Sequence, residues 1–409
     1  MRSPLDLPAG KGISRRSFFR FAAGASTLAT LPILTEAHLA WAGQIEFADS
    51  SKGIHIDANE NPLGPSEAAR KAIMDIIPSG GRYKLDLSRD VAATFAGIEG
   101  LNPEFVMPFP GSSAPLHFTV FAFTDAHRPL VIADPGYEAP IWAAQAAGSP
   151  VIKVALADPR GAATHDVKAM VAASTNPGVI YICNPNNPTG TTTNRADIEF
   201  AVANAPKGTI LLIDEAYIHL SDVTPSLDFV KQGKDVIVLR TFSKLYGMAG
   251  LRMGFAIARP DLLKKIGSFG GFNAPPITAL AGAKASLLDK DLVPNRKKHI
   301  GEIRNETLAW LTSVGYATTP SESNCFMLDV KRPGKEVIAA MAAKEVHIGR
   351  IWPVWPTQVR ITVGAKDEML AFRKAFQEVM SGSTAGLANP TLARLDEPVF
   401  TQLSSRVGA

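Results

Sequence analysis

Only two cysteines occur among 409 residues, Cys183 and Cys325. That is too few for a disulfide framework, and neither stands at metal-ligand spacing. Cys183 lies in an apolar, strand-like run and reads as a small buried hydrophobe, although a disulfide between the two stays open. An excess of one charge is also missing from most of the chain. Lys plus Arg number 42 against 38 Asp plus Glu, but residues 1–42 hold five of the basic residues and two of the acidic ones. The remainder carries 37 basic and 36 acidic residues. A body so close to neutral gives no electrostatic case for nucleic acid or an anionic membrane. Three catalytic strings are absent as well. Without G-x-x-x-x-G-K-[ST], the run Thr209–Asp214 followed by Glu215 is not the acidic strand of a P-loop ATPase; without H-E-x-x-H or G-x-S-x-G, zincin and nucleophile-elbow chemistry have no support. No internal repeat or long low-complexity tract is visible.

What is present begins with an address. Ser14-Arg15-Arg16-Ser17-Phe18-Phe19-Arg20 precedes an uncharged, mostly apolar stretch from Phe21 to Thr35, and Ala40-Trp41-Ala42 offers a small-x-small cleavage site. Basic, apolar and cleavage regions in that order resemble a twin-arginine export signal over residues 1–42. A basic surface helix or a membrane anchor are the other readings, but the apolar stretch is short and rich in Ala, Gly and Thr. The expectation is export of an already folded protein to the periplasm, with no stable membrane association after cleavage. The export machinery would be a partner.

The rest, 46% apolar over the whole chain, is long enough for two domains. Short continuous apolar runs at Pro129–Asp134, Val179–Cys183, Thr209–Asp214 and Val236–Leu239 read as strands buried on both faces. Asn194–Asn204 and Pro225–Gln232 between them are long enough for crossover helices. This alternation predicts an α/β fold with a mostly parallel central sheet and helices on both faces, plus a smaller α/β domain. The predicted large domain spans 81–285. The small one combines 43–80, as an N-terminal arm, with 286–381, where Asn295–Ser313, Lys335–Lys344 and Lys366–Met380 read as helices and Asn324–Val330 and Val359–Val363 as strands. Residues 382–409 form a tail.

Polar residues fall at the ends of the central strands. Asn187, Asp214 with Tyr217, and Ser243 with Lys244 follow successive strands at spacings of 27 and 30 residues, about one strand–helix–strand step each. Parallel strands point their carboxyl ends the same way, and ligands bind outside those ends, so these residues should meet in one crevice. A buried lysine beside a cation is held toward its neutral, nucleophilic form and condenses with an aldehyde to a Schiff base. Pyridoxal 5′-phosphate is such an aldehyde, with a ring that takes up electrons when its nitrogen is protonated. Asp214 is placed to keep it so. Asn187 and Tyr217 can hydrogen-bond the ring oxygen, and Ser243 and Arg252 can bind the phosphate. Gly111-Ser112-Ser113-Ala114 before the apolar stretch Leu116–Phe123 looks like a helix start with free N–H groups for the same phosphate. Tyr137, just past another strand end, can stack on the ring or simply pack.

These strings resemble a known family. Asn184-Pro185-Asn186-Asn187-Pro188-Thr189-Gly190, Asp214-Glu215-Ala216-Tyr217 and Thr241-Phe242-Ser243-Lys244 through Arg252-Met253-Gly254 are similar to the class I/II aminotransferases. Asn59-Glu60-Asn61-Pro62-Leu63-Gly64-Pro65-Ser66 and Val359-Arg360-Ile361-Thr362-Val363-Gly364 resemble the histidinol-phosphate aminotransferase branch. The resemblance covers about residues 54–380. It implies a fold-type I homodimer in which Lys244 carries the cofactor and moves the proton. It further implies that Tyr83 reaches the phosphate from the partner subunit, and that Arg360, assisted by Arg350, grips the substrate's carboxylate or phosphate beside Asn59. Three features depart from the branch: Gly111-Ser112-Ser113-Ala114 where Gly-Ser-Asp-Glu is usual, no Pro after Tyr83, and the aromatic run Trp352-Pro353-Val354-Trp355-Pro356, which either packs or shapes a pocket for a bulky side chain.

Transamination between an amino acid and a 2-oxo acid is the leading reading. A decarboxylase or C–S lyase on the same scaffold shares the lysine and the aspartate and stays open. An exported solute-binding protein would explain export but not Lys244 beside Ser243 and Arg252. Export also argues against histidinol phosphate, a cytoplasmic metabolite, and for a free amino acid, with aromatic ones among the candidates.

Overall fold

A computed structural model describes Ile33, Thr35, Glu36, Leu39 and residues 52–270 and 274–382. Contacts divide the chain into two compact units, Met1–Pro32 and Ile33–Ala409, and everything described belongs to the second. The tail from 383 and nearly all of the export-signal stretch, its Arg15-Arg16 pair and cleavage site included, lie outside the described residues.

Eleven strands are described: β1 Ile54–Ile56, β2 Val106–Phe109, β3 Leu130–Asp134, β4 Val151–Ala155, β5 Val179–Cys183, β6 Ile210–Asp214, β7 Val236–Thr241, β8 Gly254–Ile257, β9 Cys325–Asp329, β10 Val346–Ile348 and β11 Gln358–Thr362. Seven form the central sheet in the order β2-β8-β7-β6-β5-β3-β4. The pairs β3–β4, β3–β5, β5–β6 and β6–β7 are parallel, and β8 runs antiparallel to both its neighbours. This is the mostly parallel α/β sheet expected from the sequence. Strands β5, β6 and β7 are buried along their whole length. Burial on both faces is why they read as unbroken apolar runs. Strand β4 ends the sheet and leaves Lys153 exposed.

The crossover helices after β5 and β6 are Arg195–Asn204 and Leu227–Lys231. Asn194 caps the first by accepting from the Asp197 N–H, as a favoured N-cap residue does. Beyond the central sheet, β1 pairs with β10 in parallel and β9 with β11 antiparallel, in the segments assigned by sequence to a smaller domain. The long helix Leu292–Ser313 starts three residues before the expected Asn295. Strands β1, β2, β4, β8 and β10 were not predicted from the sequence.

Residues next to the chemistry are fixed by a buried ion pair. Arg240 Nε lies 2.7 Å from Glu215 Oε2, with both side chains almost fully buried. Glu215 Oε1 accepts from the Ser226 N–H at 2.6 Å, which ties the loop after β6 to the helix that follows. Arg240→Ala leaves that carboxylate unpaired and should cost roughly 3–5 kcal/mol of unfolding free energy. Urea titration reads it, and a loss under about 1 kcal/mol, the range of an exposed pair, contradicts the assignment.

Candidate active site

Parallel β5, β6 and β7 deliver their carboxyl ends to one side of the sheet, and the predicted residues converge there. Cys183 and Asp214 are paired in the ladder, as are Asp214 and Leu239. Ser112, Ser113, Tyr137, Asn187, Asp214, Tyr217, Ser243 and Lys244 all line one cavity. Cys183, Thr241 and Leu116 join them, unforeseen from the sequence, and so does Glu36.

Lys244 is 7% exposed. Its Nζ donates to the Asn59 carbonyl at 2.9 Å and to the Ala58 carbonyl at 3.4 Å, and it stands 5.5 Å from the centre of the Tyr217 ring. Burial lowers its pKa; Glu36 opposes that and Arg360 reinforces it. The amine is thus shifted toward the neutral form that a nucleophile needs.

Asp214 is 4% exposed, and burial raises its pKa to about 6 against the pull of two hydrogen bonds. Its Oδ2 accepts from the Tyr181 hydroxyl at 2.9 Å, and its Oδ1 from the Ala216 N–H at 3.1 Å. Tyr181 was missed. Its place two residues before Cys183 on the same face of β5, beside β6, was the available signal. Asn59, at φ 53°, donates from Nδ2 to the Tyr217 hydroxyl at 2.9 Å. That bond orients Tyr217 over the cavity.

Opposite lies an anion cradle. The helix Ser113–Phe123 is almost wholly buried, and Ser112 and Ser113 at its start line the cavity, where free N–H groups suit an anion. Arg252 donates from Nη1 to Ser243 Oγ at 3.5 Å and to the Ala249 carbonyl at 2.9 Å. A Cβ on Gly111, at φ +80°, would fall 2.3 Å from Arg252 Nη2. Glycine there lets the guanidinium close over the loop. Ala114 is buried at the helix start, and Leu116 lines the cavity in its place.

Arg360 and Arg350 stand at a further edge, joined by Trp352. Arg360 is fully buried and donates to Asn187 Oδ1 at 3.0 Å and to the Asp57 carbonyl. Arg350 Nη1 bonds both oxygens of Glu138, at 3.0 and 3.1 Å. The guanidinium carbons of Arg350 and Arg360 lie 4.8 and 5.8 Å from the Trp352 ring centre. Trp352 is buried, and its Nε1 donates to the Gly136 carbonyl at 2.9 Å. The packing reading of this tryptophan therefore holds: it lies against both guanidinium groups and is not among the residues that line the cavity. Trp355 is only half-buried and meets Trp352 through the backbone. Tyr83 is not brought to the cavity within the chain and is 89% exposed. Both cysteines are free and buried, which closes the disulfide question.

Residues 51–375 match the family model for aminotransferase class I and II. The histidinol-phosphate aminotransferase of Moorella thermoacetica is 30% identical over 341 residues, which are 80% of this chain and 86% of the relative. The aromatic amino acid aminotransferase of Mycolicibacterium smegmatis is 30% identical over 338 residues, 81% of this chain and 91% of the relative. The crystal structure of histidinol-phosphate aminotransferase from Sinorhizobium meliloti in complex with pyridoxal-5′-phosphate superposes with a TM-score of 0.74 at 24% identity. It covers 87% of this chain and 96% of its own, and shares the fold.

The Asp214 shift has a signed consequence. An ordinary aspartate titrates at 3.8, whereas this one does so at about 6 in the folded chain. Below about pH 4 the group is protonated in both states and contributes nothing. As pH rises through the window, ionising it in the folded chain costs stability, reaching roughly 3 kcal/mol above pH 6. Unfolding of the cofactor-free chain at pH 4 and pH 7 should show that component, and Asp214→Asn should remove it. An identical pH dependence in the variant contradicts the shift.

Proposed function

The chain belongs to the class I and II aminotransferases, and on that premise we propose that it exchanges the amino group of a free, aromatic amino acid with a 2-oxo acid, using pyridoxal 5′-phosphate held on Lys244. One observation carries the reading: the amine of Lys244 and the carboxylate of Asp214 line a single cavity with Ser112, Ser113 and Ser243, and two other residues of its lining, Glu36 and Asn187, are bonded to buried arginines.

The residues present fit that cofactor. The cradle of Gly111, Ser112, Ser113, Ser243 and Arg252 suits a phosphate, closed tightly enough that a single added methyl group on Gly111 would collide with the guanidinium. The cavity suits a small aromatic ring. When bound, the group supplies an aldehyde for the lysine and an electron-withdrawing pyridine ring. Asp214, whose Oδ2 is held by the Tyr181 hydroxyl, would keep a proton at the ring nitrogen. Asn187 and Tyr217 would hold the ring oxygen, and Tyr137 would pack against the ring. Lys244, kept from full protonation by burial, takes the substrate's α-proton and returns it one position along.

Arg360 takes the substrate carboxylate. Charge argues for a monoanion here. Glu138 already holds Arg350 by both oxygens, so the arginine pair offers about one net positive charge. A phosphate brings close to two negative charges at neutral pH and would be undermatched. The preference for an aromatic side chain is supported by the aromatic amino acid aminotransferase among the relatives. The twin-arginine pattern supports action on a free amino acid after export to the periplasm. A homodimer would bring the exposed Tyr83 to the phosphate from the partner subunit.

Single-turnover screening without an acceptor should release one equivalent of 2-oxo acid per site from phenylalanine, tyrosine or tryptophan. Turnover of histidinol phosphate alone overturns the substrate class, and carbon dioxide release overturns transamination. Lys244→Ala should cut the rate by roughly 10²–10⁴-fold or more, the range for a positioned proton carrier. Wild-type rates in that variant rule out the assignment.

A further inference from the structure

The arginines assigned to the substrate already hold a carboxylate of the chain's own. Glu36 Oε1 lies 2.7 Å from Arg360 Nη2 and 3.3 Å from Arg350 Nη2. Its Oε2 accepts from Asn187 Nδ2 at 3.1 Å. Glu36 lines the same cavity as Lys244, and Leu39, three residues on, is fully buried. Burial by itself would raise the Glu36 carboxyl, but Arg360, then Arg350 and Lys244, outweigh it and hold the group at about 2. The side chain is therefore an anion throughout the working pH range. The Nε atoms of Arg350 and Arg360 are buried without a hydrogen-bond partner, so both guanidinium groups keep a donor aimed at no acceptor.

We propose that Glu36 is a built-in competitor that occupies the substrate's carboxylate subsite and lowers affinity for amino acids until it is displaced. This rests on the reading of Arg360 as the carboxylate grip. Glu36 offers the same two-oxygen fork and the same single charge as an α-carboxylate, at the same donors. The two cannot be accommodated together. Both η nitrogens of Arg360 are engaged, by Glu36 and the Asp57 carbonyl on one and by Asn187 on the other, and a second carboxylate would set two like charges side by side in a desolvated space. Apparent affinity then falls by the fraction of molecules in which the segment is undocked, so tenfold weakening needs the segment seated about nine times in ten. Since Glu36 lies inside the stretch read as an export signal, cleavage at Ala42 would remove the competitor. The uncleaved chain would fold with its substrate subsite closed.

The test uses full-length, cofactor-loaded protein as wild type, Glu36→Gln and Glu36→Ala, with 3-phenylpropionate as a probe that has a carboxylate and an aromatic ring but no amine. Calorimetry should find the probe bound about tenfold more tightly by Glu36→Ala, with KM for a working amino donor falling in parallel and Glu36→Gln shifted the same way. Equal or weaker binding in the variants overturns the competitor. On the unmodified chain, saturating probe should accelerate proteolytic cleavage within residues 33–42, and an unchanged cleavage rate also overturns it, independently of whether the variants fold. The underlying reading is checked separately, by borohydride reduction and peptide mass. Failure to find the cofactor on Lys244 in wild type sinks the aminotransferase assignment, whereas its presence with unshifted probe affinity sinks the competitor alone.

Discussion

Two ionisable groups share one dry cavity, and burial pushes each toward its uncharged form: the Lys244 amine downward in pKa and the Asp214 carboxyl upward. Neither would be held there for stability. Removing an amine and a carboxylate from water is costly unless each is paired or does chemical work. The surroundings manage that cost rather than abolish it, through two backbone carbonyls on the lysine and the Tyr181 hydroxyl and Ala216 N–H on the aspartate. With pyridoxal 5′-phosphate bound, Asp214 would face the ring nitrogen and Lys244 would be the amine that holds the aldehyde. The fold serves this arrangement. Parallel strands β5 to β7 bring to one edge residues that are 27 and 30 positions apart.

Much of this was legible because buried parallel strands leave an unmistakable trace. A strand covered on both faces has no polar alternation, so the polar loop that follows each apolar run marks where the sheet ends and ligand contacts begin. Asn187, Asp214 and Lys244 were read on that basis, and they line one cavity. Contacts made sideways across the sheet were not legible. Tyr181 is an aromatic inside an apolar run, and nothing in its neighbours says that its hydroxyl meets a carboxylate on the next strand. Short strands such as β1 and β10 escaped for a similar reason. Three residues carry too little periodicity, and their pairing depends on partners nearly 300 positions away.

The arginine edge was legible only as residue types. Arg350 and Arg360 followed from the family resemblance, but the division of labour between them did not. Glu138, which follows directly on Tyr137, takes Arg350 through two hydrogen bonds and leaves Arg360 to anions from elsewhere. Glu36 was hidden twice over, being remote in sequence and inside a stretch whose composition spoke of export. Only the folded chain brings it against both arginines.

The central claim concerns the proton that Asp214 holds on the ring. Nitrogen-15 NMR of the enzyme loaded with ring-labelled cofactor reads that proton directly. The account predicts a protonated ring nitrogen at neutral pH in the wild type and a deprotonated one in Asp214→Asn, with the fold intact in both. An unprotonated nitrogen in the wild type, or the same signal in both proteins, would contradict it.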